Sequence, residues 1–89
     1  MEGLRFERRG DEHHYKVILH VGDCYVPVSD DIVDELKHHS AKLGDGLLGF
    51  FLEKVGYSSY LRDQIQQELS KLGDPAQQIS TIRQALLQL

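Results

Sequence analysis

The chain has 89 residues, with 10 Lys and Arg against 14 Asp and Glu, a formal charge of −4. That length holds one domain, buries only roughly 60–65% of its unfolded surface, and gains stability from self-association. The negative balance excludes a protein whose whole surface is tuned to phosphate, but not a local basic patch. The single cysteine, Cys24, excludes an internal disulfide, so a reducing, cytoplasmic compartment is the expectation.

The N-terminal run Met1 to Phe6 has no sustained apolar region after its charges, so no secretory signal is expected. Leu4 to Arg8 alternates apolar and charged residues, the pattern of a half-buried strand with Leu4 and Phe6 inward. Arg9-Gly10-Asp11-Glu12 supplies a turn. His13 to Val21 then reads as a second strand, with Tyr15, Val17, Leu19 and Val21 on one face and Lys16, Ile18 and His20 on the other. Gly22-Asp23 has the residue order of a type II′ hairpin turn. Cys24 to Val28 follows as a third strand, with Cys24, Val26 and Val28 in phase. Pro27 cannot donate to a ladder, which places this strand at an edge or ends it there. Residues 1–28 are therefore expected to form a three-stranded antiparallel meander.

Residues 29–89 read as helical. Ser29-Asp30 caps a first helix, acidic at its start and basic at Lys37, His38, His39 and Lys42, an order that complements the helix dipole. Its buried face is Ile32, Val33, Leu36 and Leu43, and Gly44 ends it. From Asp45 to Gly56 the apolar residues Leu47, Leu48, Phe51, Leu52 and Val55 recur at helical spacing, with Asp45 as cap. Gly46 and Gly49 each cost a helix about 1 kcal/mol, so a buried strand competes with the helix here. If helical, this stretch is expected to be the most buried helix. No apolar window is long enough to span a bilayer.

The last third, Gly56 to Leu89, organises the rest. Leu61, Ile65, Leu69 and Leu72 form one stripe, and Ile79, Ile82, Leu86 and Leu89 form another. Gly73 suits the left-handed residue past a helix end. Asp74 is an N-cap, Pro75 takes the first helical position, and Gln77 completes a capping box. An antiparallel helical hairpin follows. The expected fold is α+β, one domain, with the meander followed by four helices packed on one face of the sheet.

Several residues invite chemistry. The five histidines include the neighbours His13–His14 and His38–His39, but adjacent residues diverge on strand and helix alike. Asp34–His38 and Glu35–His39 have ion-pair spacing within a helix. His20 and Cys24 flank the Gly22-Asp23 turn, yet no second cysteine and no His-x-x-x-His complete a zinc set. Cys24 sits in phase with core residues, and Ser58-Ser59 reads as helix caps. The glycines of Gly44 to Gly49 lack the Lys-Ser/Thr sequel of a phosphate loop. No catalytic residue, metal or cofactor is therefore expected.

Two surfaces remain. Arg5, Arg8 and Arg9 with Lys16 make the first hairpin locally basic, a patch for an acidic partner or nucleic acid. The last helix has apolar residues around more of its circumference than one neighbour can cover, and Arg83 is its only full side-chain charge after Asp74. Its stripe, Ile79, Ile82, Arg83, Leu86, Leu87 and Leu89, is the expected interface of a twofold homodimer. Phe51 to Ser59 has the helix–glycine–helix look of a helix-turn-helix, but its second helix brings one arginine, Arg62, near its start, too little charge for phosphates. Tyr25-Val26-Pro27-Val28, an acidic helix and Gly44-Asp45 together resemble the strand–helix–strand pattern of swapped-hairpin transcription regulators. No family is assigned on that pattern. The expected function is a small non-enzymatic interaction or regulatory module that is homodimeric. The alternative is a nucleic-acid-binding regulator using the basic hairpin.

Overall fold

The alternation of the first residues becomes a sheet in strand order β1-β2-β3, with both neighbours antiparallel. A computed structural model describes residues 3–89; Met1 and Glu2, where the N-terminal reading begins, lie outside the described residues. The elements are β1 (Leu4–Gly10), β2 (Tyr15–Val21), β3 (Cys24–Val28), α1 (Asp30–Ser40), α2 (Gly46–Val55), α3 (Ser59–Ser70) and α4 (Pro75–Leu87). This is the expected α+β class, a meander followed by four helices.

One sheet face carries the core. Leu4 stands opposite Val21, Phe6 opposite Leu19, and Arg8 opposite Val17, while Val26 and Val28 face Leu19 and Val17 from the other side. Leu4, Val17, Leu19, Val21, Val26 and Val28 are buried in one cluster with residues of all four helices. Helices α3 and α4 rest on the sheet, and α2 packs against α1, α3 and α4. Cys24, in phase with this face, is only half-buried, because it starts its strand beside the turn rather than inside the cluster.

The β1–β2 turn differs from the expectation. β1 continues to Gly10, and the turn is Asp11 to His14, so His13 and His14 leave the strand. The cause is the Asp11 side chain. Its Oδ1 accepts the N–H groups of His13 (3.0 Å) and His14 (2.7 Å), replacing ladder bonds with a side-chain-closed turn. At the second hairpin, Gly22 has φ 57° and no non-glycine residue among those described has positive φ, as a type II′ turn requires.

The helix starts mostly follow their caps. Ser29 Oγ accepts from Ile32 N–H and Ser58 Oγ from Leu61 N–H. At α4 the capping box is complete: Gln77 N–H donates to Asp74 Oδ1 (2.9 Å) and Asp74 N–H donates to Gln77 Oε1 (3.0 Å). Gly73 precedes it with φ 123°. Asp45 is the exception. It has helical backbone angles and makes no side-chain cap bond. The main chain does that work, with Gly46 N–H donating to Leu43 O and Leu47 N–H to Gly44 O.

Residues 46–55 are helical despite their glycines, because burial outweighs propensity. Leu47, Phe51 and Val55 point into the core at helical spacing, and only three of the ten residues of α2 are exposed, against six of thirteen in α4. Gly49 meets open space, so its missing side chain leaves no void.

The α3–α4 junction generates a direct test. Replacing Asp74 with Ala removes the carboxylate that accepts from Gln77 N–H, one half of the capping box, and should lower stability by about 0.5–2 kcal/mol. Urea denaturation followed by circular dichroism measures it, and an unchanged midpoint would contradict the cap's role.

Candidate interaction surfaces

The helix α4 carries most of the expected interface residues, and the structure spends them unevenly. Ile79, Ile82 and Leu86 are in the chain's own core, with Ala85 beside them. The broad apolar arc is used because α4 meets β1 on one side and α1, α2 and α3 on others. Leu89 is half-buried against the same cluster. Leu87 lies one residue, about 100° of helix, beyond Leu86, and this rotation carries it out of the core to 78% exposure.

Leu87 borders a groove of about 640 Å³ between α1 and α4, lined by Lys37, Ser40, Ala41, Arg83, Leu86 and Leu87. Arg83 holds the groove's shape. Its Nε donates to Ser40 O at 2.9 Å, where the end of α1 leaves a carbonyl in need of a donor. The groove is therefore largely apolar inside, with the cations of Lys37 and Arg83 at its sides.

The basic hairpin is divided by the strand's own alternation. Arg5 and Arg9 project from the face away from the helices, beside Lys16, which pairs with Arg9 in the ladder. Arg8 projects from the opposite face. Its Nη2 donates to Leu89 O at 2.8 Å and its guanidinium lies 4.9 Å from the centre of the Tyr15 ring. Arg9 is itself paired, its Nη2 lying 3.1 Å from Glu7 Oε1. The four cations expected as one patch are thus three on the open face and one on the core side.

Glu7 is the hub of that open face. Its Oε1 is 2.6 Å from His20 Nε2, on the neighbouring strand. The hydrogen bond from Arg9, and then the one from His20, hold the Glu7 carboxyl below the usual glutamate range. Beneath this layer Ile18 is buried, although it faces away from the helical core. Tyr25, two-thirds exposed, lies across from His20 in register.

The other histidines are dispersed. His20 and Cys24 stand on opposite faces of the sheet, since Cys24 pairs with Val21 and His20 with Tyr25. Glu35 reaches Lys54 of α2 at 3.0 Å. His39 turns to the Phe50 ring, with centroids 5.3 Å apart. Among the described residues, no three or more of His, Cys, Asp and Glu gather as a metal-binding group, and no helix is long and apolar enough to cross a membrane. Exposed Tyr57 and Tyr60, at the entry to α3, were not distinguished by any sequence pattern, because α3 turns its stripe residues Ile65 and Leu69 inward and leaves these rings outside.

Comparison with known proteins finds no matching protein family, no similar curated protein and no similar solved structure.

The Glu7 network predicts a pH dependence. A carboxyl whose folded-state pKa is lowered stabilises the fold at pH values above its ordinary titration and loses that contribution as pH falls through the lowered value. Thermal melts of the native chain and of Glu7→Gln should therefore differ most near neutral pH and converge in acid, below the usual glutamate range. Parallel melting curves across the whole range would contradict the network.

Proposed function

We propose that this protein is a small, non-enzymatic protein–protein interaction module of the cytoplasm, working as a homodimeric regulator or adaptor. The observation that supports it is Leu87, an aliphatic side chain 78% exposed at the mouth of an apolar groove. A solitary exposed leucine is ordinary, but one next to a groove that it does not fill makes a matched pair of features. Knob and hole lie on one patch, so a second copy related by a twofold axis places each Leu87 in the other's groove. Such a contact is isologous and closes on itself. A domain this short gains proportionally from the added burial.

Chemistry is assigned no role in this reading. Cys24 and His20 face apart, and Ser58 is engaged as a helix cap. The nucleic-acid reading has weaker support than the protein reading, because Arg8 lies on the core side of the sheet and the basic patch is thereby divided between two faces.

Analytical ultracentrifugation tests the proposal. The native chain should sediment as a dimer at about 100 µM, well above a micromolar dissociation constant. Leu87→Glu should be a folded monomer, because position 87 is solvent-exposed within one chain and a charge there costs the fold little. A native chain that is monomeric at that concentration would remove the homodimer.

A further inference from the structure

The two edges of the sheet are unequal. At β3 the residues paired closely with β2 are Cys24, Val26 and Val28, so the main-chain groups of Tyr25 and Pro27 face outward. Pro27 therefore sits where its missing N–H costs the ladder nothing and blocks an incoming strand. β1 has no such guard. Gly22 N–H donates to Gly3 O at 2.8 Å and Asp11 N–H to His14 O at 3.1 Å, which fixes the phase of the ladder. Arg5, Glu7 and Arg9 then direct their main-chain groups to β2, and Phe6, Arg8 and Gly10 direct theirs outward. Among the described residues these outward groups have no hydrogen-bond partner. An open row of alternating donors and acceptors is a template for another extended chain.

We propose that the outer edge of β1, from Phe6 to Gly10, takes an extended acidic segment of a partner protein as a fourth strand. The main-chain row defines the ligand as a peptide, since it offers donors and acceptors in strand spacing. Charge defines its side chains. Arg5, Arg9 and Lys16 against Glu7 make the open sheet face positive on a chain whose net charge is −4. Side chains of the segment that lie opposite Arg9 and Arg5 are four positions apart and acidic. Those on the other side lie toward α4. There a groove of about 390 Å³ runs between β1 and α4, with Arg5, Ser80, Thr81, Gln84 and Gln88 among its walls. This wall of α4 is uncharged, so small, uncharged side chains fit it.

A second copy of β1 fits less well. An antiparallel self-pairing about Phe6 uses the edge of Leu4, which is 3% exposed. One about Glu7 opposes Glu7 to Glu7 and Arg5 to Arg9 across the axis. One about Arg8 opposes the two Arg8 guanidiniums. Like charges directly opposite on a sheet are destabilising. The proposal goes beyond the α4 contact and does not depend on it.

The test uses a fluorescent peptide, acetyl-Thr-Glu-Val-Thr-Val-Glu-Thr-amide, and its counterpart with both Glu replaced by Lys. Fluorescence anisotropy reads binding and amide hydrogen exchange reads the site, in the native chain and in Leu87→Glu. The Glu peptide should slow exchange of the Phe6, Arg8 and Gly10 amides, and the Lys peptide should bind at least about tenfold more weakly. Arg8→Pro removes the outward N–H as Pro27 does on β3, and should abolish binding. Arg8→Ala keeps the N–H and should bind within about threefold of the native chain, since the Arg8 side chain faces the core side. A circular dichroism spectrum matching the native one certifies the fold of each variant. The proposal is overturned if about 1 mM Glu peptide leaves the three amides unprotected, or if Arg8→Pro binds as well as Arg8→Ala. It is equally overturned if these amides become protected by raising protein concentration alone, which assigns the edge to a second copy. Displacement of the Glu peptide by a single-stranded oligonucleotide at lower concentration assigns the face to nucleic acid and overturns it too.

Discussion

The structure depends on one asymmetry: a sheet of three strands with a single apolar face. Leu19 and Val21, on the central strand β2, have no exposed surface. That enclosure is reached only because side chains from the helical part close over the strand. A sheet this narrow is not independently stable, and its apolar face must be packed against another layer. The helices supply that layer at two depths. α3 and α4 lie on the sheet, and α2 is held among α1, α3 and α4, with Phe51 fully enclosed. The apolar character of α2 follows from that position. A helix surrounded by helices has few directions left for polar side chains.

The second consequence concerns the uncovered face. It is built from charged side chains, yet it still buries Ile18. Long side chains cover apolar surface with their stems while their charged ends stay in water. Glu7 organises this cover, bridging Arg9 on its own strand and His20 on the next. Exposed ion pairs contribute little individually. The network's structural effect here is orientation: it fixes where the charges of the open face point, and it leaves Arg5 and Lys16 as the flanking positive groups.

Much of this fold was legible in the sequence, and the legible parts share a cause. Gly22-Asp23, Gly73-Asp74-Pro75, Ser29 and Ser58 act within four residues of themselves, so their effect can be read locally. The alternation of β2 and the stripes of α3 and α4 are likewise periodic along the chain. What the sequence left open depends on contacts between distant residues. Asp45 looked like a cap, but the carbonyls of Leu43 and Gly44 already met the helix donors. His13 and His14 fit a strand by position, and one side-chain oxygen of Asp11, already in the expected turn, draws them into that turn. The width of the α4 stripe was correctly visible. How many of the helix's neighbours come from its own chain was not, and those neighbours enclose Ile79, Ile82 and Leu86 while leaving Leu87. The basic hairpin was visible as composition. Its division between two faces follows from Arg8 and Arg9 being adjacent on a strand, and the reach of Arg8 to Leu89 spans nearly the whole chain.

The two free surfaces meet at the last turn of α4. Lys37 lines the groove beside Leu87, and it also lines a smaller cavity of about 170 Å³ that contains Arg8, Tyr15 and Leu89. Proximity alone is not coupling between sites, which requires an element with two arrangements. The geometry instead supports rigidity. Arg83 fastens α4 to the end of α1 through Ser40 O, and Arg8 fastens the chain's last residue to β1. Each bond joins a charged donor to a carbonyl near a helix end, where carbonyls lack intrahelical partners. These bonds hold the α4 terminus against both α1 and the sheet. A Leu87 carried on a frayed helix end would lose conformational entropy on docking, and one carried on a terminus fixed at two points loses less.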